Sequence, residues 1–335
     1  MTSQRPFRIG AIGAGIFAEA NQFPSLSLHF FDDIERTAVC DLDIARAERM
    51  ADKYGWKKAY TDFEGMIESE DLDAVMICLG GKHHPDVACR VLELGLPVFL
   101  EKPSSIYLAD TERILEASKK AGKIVQVGHQ KRYGLAYNRA REIINDTKTF
   151  GNVIQIESKM HGFDVFPTFY TCMLEWQCHN LDAVISFGGD IDEVSAVSHL
   201  TAKNRGALVA MLKFTSGAVG TLGWGTYGGP GPFAERIEIL SDTGKGVIIT
   251  NAREVTHYTP EVGETWTSDW NPISPNQSHV FNGYVGEYRH FIDCVKGGRE
   301  PTPSIKDEAR TMRLLAEIAE KANIPIEWGP VSSML

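Results

Sequence analysis

The sequence is short of positive charge: 34 lysines and arginines stand against 44 aspartates and glutamates, a formal net charge of −10. A surface of that sign lacks the basic footprint that phosphate backbones need, so nucleic acid is not an expected partner, and docking on an anionic membrane is disfavoured. Long hydrophobic runs are also missing. No stretch approaches the ~18 apolar residues of a membrane-spanning helix, and the opening MTSQRPFRIGAIGAG has no charged region followed by an apolar signal core. A cytoplasmic protein is therefore expected. Cysteine is sparse: six residues, at 40, 78, 89, 172, 178 and 294, are scattered through 335. That usage suits reduced core thiols rather than a disulfide framework. Cys-x-x-Cys and His-Glu-x-x-His do not occur, and no metal is expected. Internal repeats and low-complexity segments are lacking as well.

What is present describes a soluble globular chain, 43% hydrophobic and 23% charged, with length for two domains. It opens with RIGAIGAGIFAEA. Arg8 to Ile12 read as a strand, and Gly13, Gly15 and Ala18 then fit G-x-G-x-x-G/A at the head of a helix. The first glycine permits a tight turn and the second lets backbone approach a pyrophosphate. The small third residue lets helix and strand pack closely. A second strand, Thr37 to Asp41, ends in an acid that can accept from a ribose 2′-hydroxyl and repel a 2′-phosphate, which favours NAD over NADP. Two observations leave that open: Arg46 lies five residues on, and Asp41 can instead serve as the N-cap of LDIARAERMA.

Strands and helices go on alternating through DLDAVMICL, PDVACRVLELG, PVFLEKP, TERILEASKKAG and KIVQVGHQ. Apolar strand runs between helices indicate a parallel sheet covered on both faces, whose ligands bind beyond the carboxyl ends of the strands. Gly80 to His84, Glu101 to Pro103 and Gly128 to Arg132 all follow such ends. After about residue 130 the pattern changes. A helix, LAYNRAREIIND, leads to the strand NVIQIESKMHG and a helix over Cys172 to Asp182. Runs of strands between Glu193 and Asn251 then suggest an open mixed or antiparallel sheet, an α+β domain. Residues 257–284 read as a loop suited to a lid or an oligomer contact, and two helices close the chain. The expected division is 1–129 for the cofactor and 130–335 for substrate and oligomerisation.

GAGIFA, Asp41, EKP at Glu101 to Pro103, H-x-x-D at His179 to Asp182 and the closing GEYRHFIDCVKGGREPTPSIKDEAR occur in one order. Together they resemble the glucose–fructose oxidoreductase/inositol dehydrogenase/MocA (Gfo/Idh/MocA) family over essentially the whole chain. The resemblance implies a Rossmann domain followed by a mixed-sheet domain, a homodimer or homotetramer, and NAD(P)-dependent oxidation or reduction of sugars and cyclitols. It carries the family lysine onto Lys102 and the family D-x-x-x-H pair onto Glu175 and His179, with an acid one methylene longer. Gly80–Gly81 and His129–Gln130 depart from the family's usual proline–asparagine and phenylalanine–asparagine pairs. With the resemblance, the expected cofactor contacts are Gly13, Gly15, Ile16, Phe17, Ala18, Asp41, Leu79, Gly80, His84, Glu101, Lys102 and Gln130. The expected substrate contacts are Lys102, Arg132, His161, Tyr170, Glu175 and His179.

In CMLEWQCHNLD, Cys172, Glu175, His179 and Asp182 are spaced 3, 4 and 3, one stripe of a regular helix, with Leu174, Leu181 and Ile185 on another. Histidine suits removal of a hydroxyl proton near neutrality. Glu175 can orient the imidazole, and Lys102 can stabilise developing alkoxide charge. The competing readings are a buried Lys–Glu pair and a hydrogen-bonded core histidine. Asp182 is expected to be structural, bonding backbone or Arg132. Trp224, Tyr227, Trp266 and Trp270 can stack on sugar faces. Three function classes follow: an NAD-dependent sugar or cyclitol oxidoreductase, a redox-neutral NAD-dependent glycoside-cleaving enzyme, and a non-catalytic NAD-binding regulator.

Overall fold

A computed structural model describes residues 5–30, 33–163, 165–227, 234–268 and 277–329. The described residues divide into two compact units, one running up to His129 and taking in Tyr284–Met312, the other formed by Gln130–Gly283 and residues 313–329. Sequence reasoning puts 284–312 in the second domain; by contact it clusters with the first.

In the first unit, β1 (Phe7–Ile12), β2 (Ile34–Cys40), β3 (Lys58–Tyr60), β4 (Ala74–Ile77), β5 (Val98–Leu100) and β6 (Val125–Val127) form one sheet in the order β3-β2-β1-β4-β5-β6. Every neighbouring pair is parallel. Side chains alternate across a strand, and here both faces are apolar. Ile9, Ala11, Val39, Ala74, Met76 and Phe99 go to one core with Phe23, Leu26, Tyr288, Phe291 and Ile292. Ile12, Ala38, Val75, Ile77, Val98, Leu100, Val125 and Val127 go to the other, with Ala88, Val91, Ile114 and Ile305. The helix Tyr284–Gly297 thus packs on one face of this sheet beside Phe23 and Leu26, which is why so late a segment belongs to this unit.

The second unit holds β7 (Val153–Phe163), β8 (Ile191–Ala202), β9 (Arg205–Phe214), β10 (Val219–Tyr227), β11 (Ala234–Ser241), β12 (Gly246–Thr250), β13 (Glu254–Tyr258) and β14 (Gly263–Thr267). Their order is β14-β13-β12-β11-β7-β10-β9-β8, with β7–β10 parallel and the other pairs antiparallel. The fold class expected from sequence is the one found. β13 and β14 correct the expectation of a loop over 257–284: they form a short, largely polar hairpin at the sheet edge, where alternation is too brief to be read. The end of the expected lid, residues 269–276, lies outside the described residues. One face of the sheet packs on helices; on the other, β9 alternates exposed Val209, Met211 and Lys213 with buried Leu208, Ala210 and Leu212.

Candidate active site

The first unit's site is built where its strands end. Past the carboxyl ends of the strands the hydrogen bonds continue: Gly13 N donates to Cys40 O (2.8 Å), Cys78 N to Ile12 O (2.9 Å), Glu101 N to Ile77 O (2.9 Å) and Gly128 N to Leu100 O (2.8 Å). Gly13, at φ +95°, needs to be glycine: a Cβ there would stand 2.1 Å from Cys78 O. Gly15 has nothing within 4 Å of its would-be Cβ, so backbone is left open at the turn. Beside it lies a cavity of about 560 Å³ lined by Gly13, Asp41, Leu42, Arg46, Leu79 and His83, among others. The Asp41 carboxylate accepts from Ala14 N (2.9 Å) and Asp43 N (3.0 Å). Asp43, not Asp41, caps the helix Ile44–Tyr54, which removes the capping explanation for Asp41. Arg46 pairs with Asp41 (3.2 Å) and Asp43 (3.6 Å), so its charge is answered by two carboxylates. An open glycine turn followed by an acid on a cavity wall fits NAD: the turn would hold the pyrophosphate and Asp41 the ribose diol.

Ile16 (54% exposed) and Phe17 (37%) stand out from the turn, while Ala18 is buried. Phe17 lies under Lys102 Nζ, 5.9 Å from the ring centre, and edge-on to Tyr284. Lys102 is half-buried and joined to Pro103 by a cis peptide bond. Glu101 is buried beneath it, accepting from Lys102 N (3.0 Å) and from the Gln22 amide, and burial pushes its carboxyl up to about 7 against the opposing pull of Lys102. His84 corrects its expected part as a cofactor contact. It is fully buried; Nε2 accepts from Leu79 N (3.0 Å), Nδ1 donates to Pro103 O (2.8 Å), and burial lowers it to about 4. Both ring nitrogens are used on protein, so the residue ties the loops after β4 and β5 together. Leu79 is half-buried and Gly80 exposed at the first of these loops.

Sequence reasoning missed three buried polar residues that brace the EKP turn. Glu308 accepts from Ser104 Oγ (3.2 Å) and pairs with His129 Nε2 (2.7 Å). Gln22 and Glu287 sit under Glu101. A lone acid in an amphipathic helix reads as part of a solvated face, so no local signal marks Glu287 or Glu308.

In the second unit, Gln130 is half-buried in the turn Gln130–Tyr133. Lys131 ion-pairs with Glu235 (2.5 Å), which also accepts from Tyr137 OH. Arg132 makes two hydrogen bonds to Asp182, Nε at 2.8 Å and Nη2 at 2.7 Å, the pairing expected for Asp182. The stretch Cys172 to Asp182 is not one regular helix. Phe169–Cys172 leads into a π-turn, Met173–Gln177, and then the helix Cys178–Gly188. A π-turn takes one more residue than an α-turn, so the single stripe expected for Cys172, Glu175, His179 and Asp182 slips by about one position between Glu175 and His179. The two faces do not differ in exposure either: Cys172, Leu174, His179, Leu181 and Asp182 are all buried, and Glu175 is half-buried. Tyr170 is buried at 3%.

His179 is located by its neighbour. Asn180 donates to Ser158 Oγ (2.7 Å) on β7 and accepts from Trp224 Nε1 (2.9 Å) on β10, pinning the helix to the sheet. Ser158, Met160 and Gly162 face that helix; strand alternation therefore turns His161 to the opposite face, beside Gly225. His161 thus does not share the His179 face. Trp224, buried and bonded to Asn180, is core rather than a sugar platform. Trp266 is half-buried on β14. The Tyr227 side chain and Trp270 lie outside the described residues.

Residues 7–129 match the sequence model described as oxidoreductase family, NAD-binding Rossmann fold, of the Gfo/Idh/MocA group. The first unit thus carries the NAD-binding Rossmann fold of the Gfo/Idh/MocA oxidoreductases. It is 28% identical to a Thermotoga maritima myo-inositol 2-dehydrogenase, over 95% of this chain and 96% of the relative. It is 26% identical to a Sphingobium 4-carboxy-2-hydroxymuconate-6-semialdehyde dehydrogenase, over 93% and 97%. In fold it is similar to a dehydrogenase from Chromobacterium violaceum, with TM-score 0.87 at 22% identity, covering 96% of each chain. The chain is an NAD-binding oxidoreductase, and among its described residues no helix is long and apolar enough to cross a membrane.

Proposed function

We propose that the protein transfers a hydride between NAD and a hydroxyl-bearing carbon of a sugar, glycoside or cyclitol. The observation that carries this is the Lys102 ammonium standing over Phe17 beside the open glycine turn, where a nucleotide's reactive end would lie. The inositol dehydrogenase similarity along nearly the whole chain supports the substrate class. NAD, when bound, supplies the hydride acceptor. His179 takes the hydroxyl proton, Glu175 stabilises the charged imidazole, and Lys102 donates to the same substrate oxygen. In this reading residues 1–129 serve the cofactor and 130–335 serve substrate binding and self-association. The homo-oligomer, a dimer or tetramer, forms through the open sheet face, where Val197, Val209, Met211 and Val219 are exposed. A cytoplasmic setting fits six cysteines without a disulfide.

The test is purified protein with NAD and a panel of inositols, sugars and glycosides. Stoichiometric NADH supports the oxidoreductase reading. Aglycone release without net NADH points instead to glycoside cleavage, and tight NAD binding with neither product points to a regulator. His179→Ala and Lys102→Ala are expected to lower kcat by about 10²-fold or more while NAD affinity changes little. Wild-type rates in either variant would falsify the assignment.

A further inference from the structure

Beneath the EKP turn lies a buried polar cluster that the proposed chemistry does not use. Glu287, in the helix Tyr284–Gly297, is 0% exposed, and neither of its carboxyl oxygens has a hydrogen-bond partner among the described residues. Around it, Gln22 Oε1, Gln126 Oε1 and Tyr288 OH are likewise buried without partners. Gln126 Nε2 holds the Glu287 backbone carbonyl (2.9 Å), and the Gln22 amide, which donates to Glu101, also faces the Glu287 carboxyl. Glu101 in turn accepts from Lys102 N (3.0 Å). Gly128 makes room for it, since a Cβ there would stand 3.2 Å from Glu101 Oε1.

Two features of this cluster do not balance if both glutamates are ionised. Almost every orphan atom is an acceptor, so the cluster lacks a proton rather than a lone pair. A second buried anion would also be costly, and Lys102 is the cation that faces Glu101. The groups facing Glu287 are Glu101, Gln22, Tyr284, Tyr288 and Gln126, none of which is a cation. One proton on Glu287 resolves both problems: it removes the second charge and supplies a donor to a neighbouring orphan oxygen.

We propose that Glu287 is held as the neutral acid, shares the Gln22 amide with the Glu101 carboxylate, and so acts as a positioning residue for Lys102. The pair then carries one negative charge, set directly under the Lys102 backbone, and the helix Tyr284–Gly297 becomes the floor of the catalytic turn. Burial and the nearby Glu101 charge both push the Glu287 carboxyl well above its ordinary range, in agreement. The positioning role rests on the reading of Lys102 as catalytic; the protonation state does not.

Infrared difference spectra of ligand-free wild type against Glu287→Gln at pH 9, where Glu101 is ionised, test the proton directly, without turnover. The expected result is a protonated-carboxyl carbonyl stretch in the wild type that the variant lacks; its absence overturns the proposal. Kinetics test the positioning. Glu287→Gln, neutral and of the same shape, is expected to keep kcat and the pH profile of kcat/KM. A displacement of that profile by about a unit would mean that a charge had been removed. Glu287→Leu and Gln22→Leu are expected to lower kcat by about tenfold or more, because Lys102 loses its support while NAD affinity is little altered. Wild-type kcat in whichever leucine variant folds overturns the positioning role. If no substrate turns over, the spectra still decide the protonation, so the two failures are distinguishable.

Discussion

Gly13 and Gly15 stand two residues apart in one motif, yet they are glycine for different reasons. At Gly13 the protein itself forbids a side chain: φ is +95° and Cys78 O would lie 2.1 Å from the Cβ. Gly13→Ala is expected to destabilise by about 2 kcal/mol or more, measured by chemical denaturation. At Gly15 the protein forbids nothing. Gly15→Ala should unfold within about 0.5 kcal/mol of wild type and lose NAD affinity, measured by calorimetric titration. An equal loss of stability in both would contradict a cofactor reason for Gly15. His84 supplies a pH prediction. Its folded value of about 4 lies below the ordinary 6.5, so the unfolded chain binds the proton first. The stability it contributes is whole above pH 6.5 and falls as pH drops toward 4, by roughly 3 kcal/mol at about 1.4 per unit. Glu101 works the other way, since its raised carboxyl costs least at low pH. His84→Gln should therefore flatten the loss of stability between pH 7 and pH 5; an unchanged slope would mean that other groups set it.

At the scale of elements, the stretch from Cys172 to Asp182 shows how one extra residue in a turn redirects side chains. Its spacing suggests a single stripe, but the π-turn Met173–Gln177 separates Glu175 from the register of His179. A similar turn, Ala18–Gln22, follows the glycine motif and carries Gln22 beneath Glu101. Neither is visible in sequence, because a π-turn leaves no distinct residue pattern. The helix Cys178–Gly188 is buried almost all round, so its polar groups must be answered inside. Arg132 answers Asp182 with two hydrogen bonds. Asp182→Ala is expected to cost about 3–5 kcal/mol by leaving a buried guanidinium without its carboxylate. Thermal unfolding with a loss near zero would show that Arg132 reaches water when released.

For the whole molecule, the alternating helices and strands of the first third are legible where the strand is an apolar run; β3, Lys-Ala-Tyr and partly exposed, is not one, and neither it nor the helix Phe63–Ser69 is read from the sequence. Ile9 and Met76 go to one face and Ile12 and Ile77 to the other, as a doubly covered sheet requires. The return of Tyr284–Met312 to that unit is not legible, since amphipathic helices do not name the face they cover. The second sheet's open face supplies the prediction at this scale. Val197 lies opposite Val209 in the register, with Met211 two residues along, all three well exposed. Val209→Asp with Met211→Asp is expected to shift the sedimentation coefficient toward the monomer while leaving the fold intact by circular dichroism. An unchanged coefficient places any self-association elsewhere.

The sequence by itself determined the alternation of strands and helices around the nucleotide-binding turn, the acid at Asp41 and the EKP turn, because each rests on local chemistry that neighbouring residues reveal. Tertiary structure alone decided which buried groups answer one another. His84 became a tie between two loops, and His161 was turned to the far face of β7. Glu287 and Glu308, more than 150 residues from the turn they support, were drawn beneath it. The physical reason is that hydrogen-bond partners and the loss of water around a charge are set by packing between distant segments, which leaves no trace in the spacing of residues along the chain.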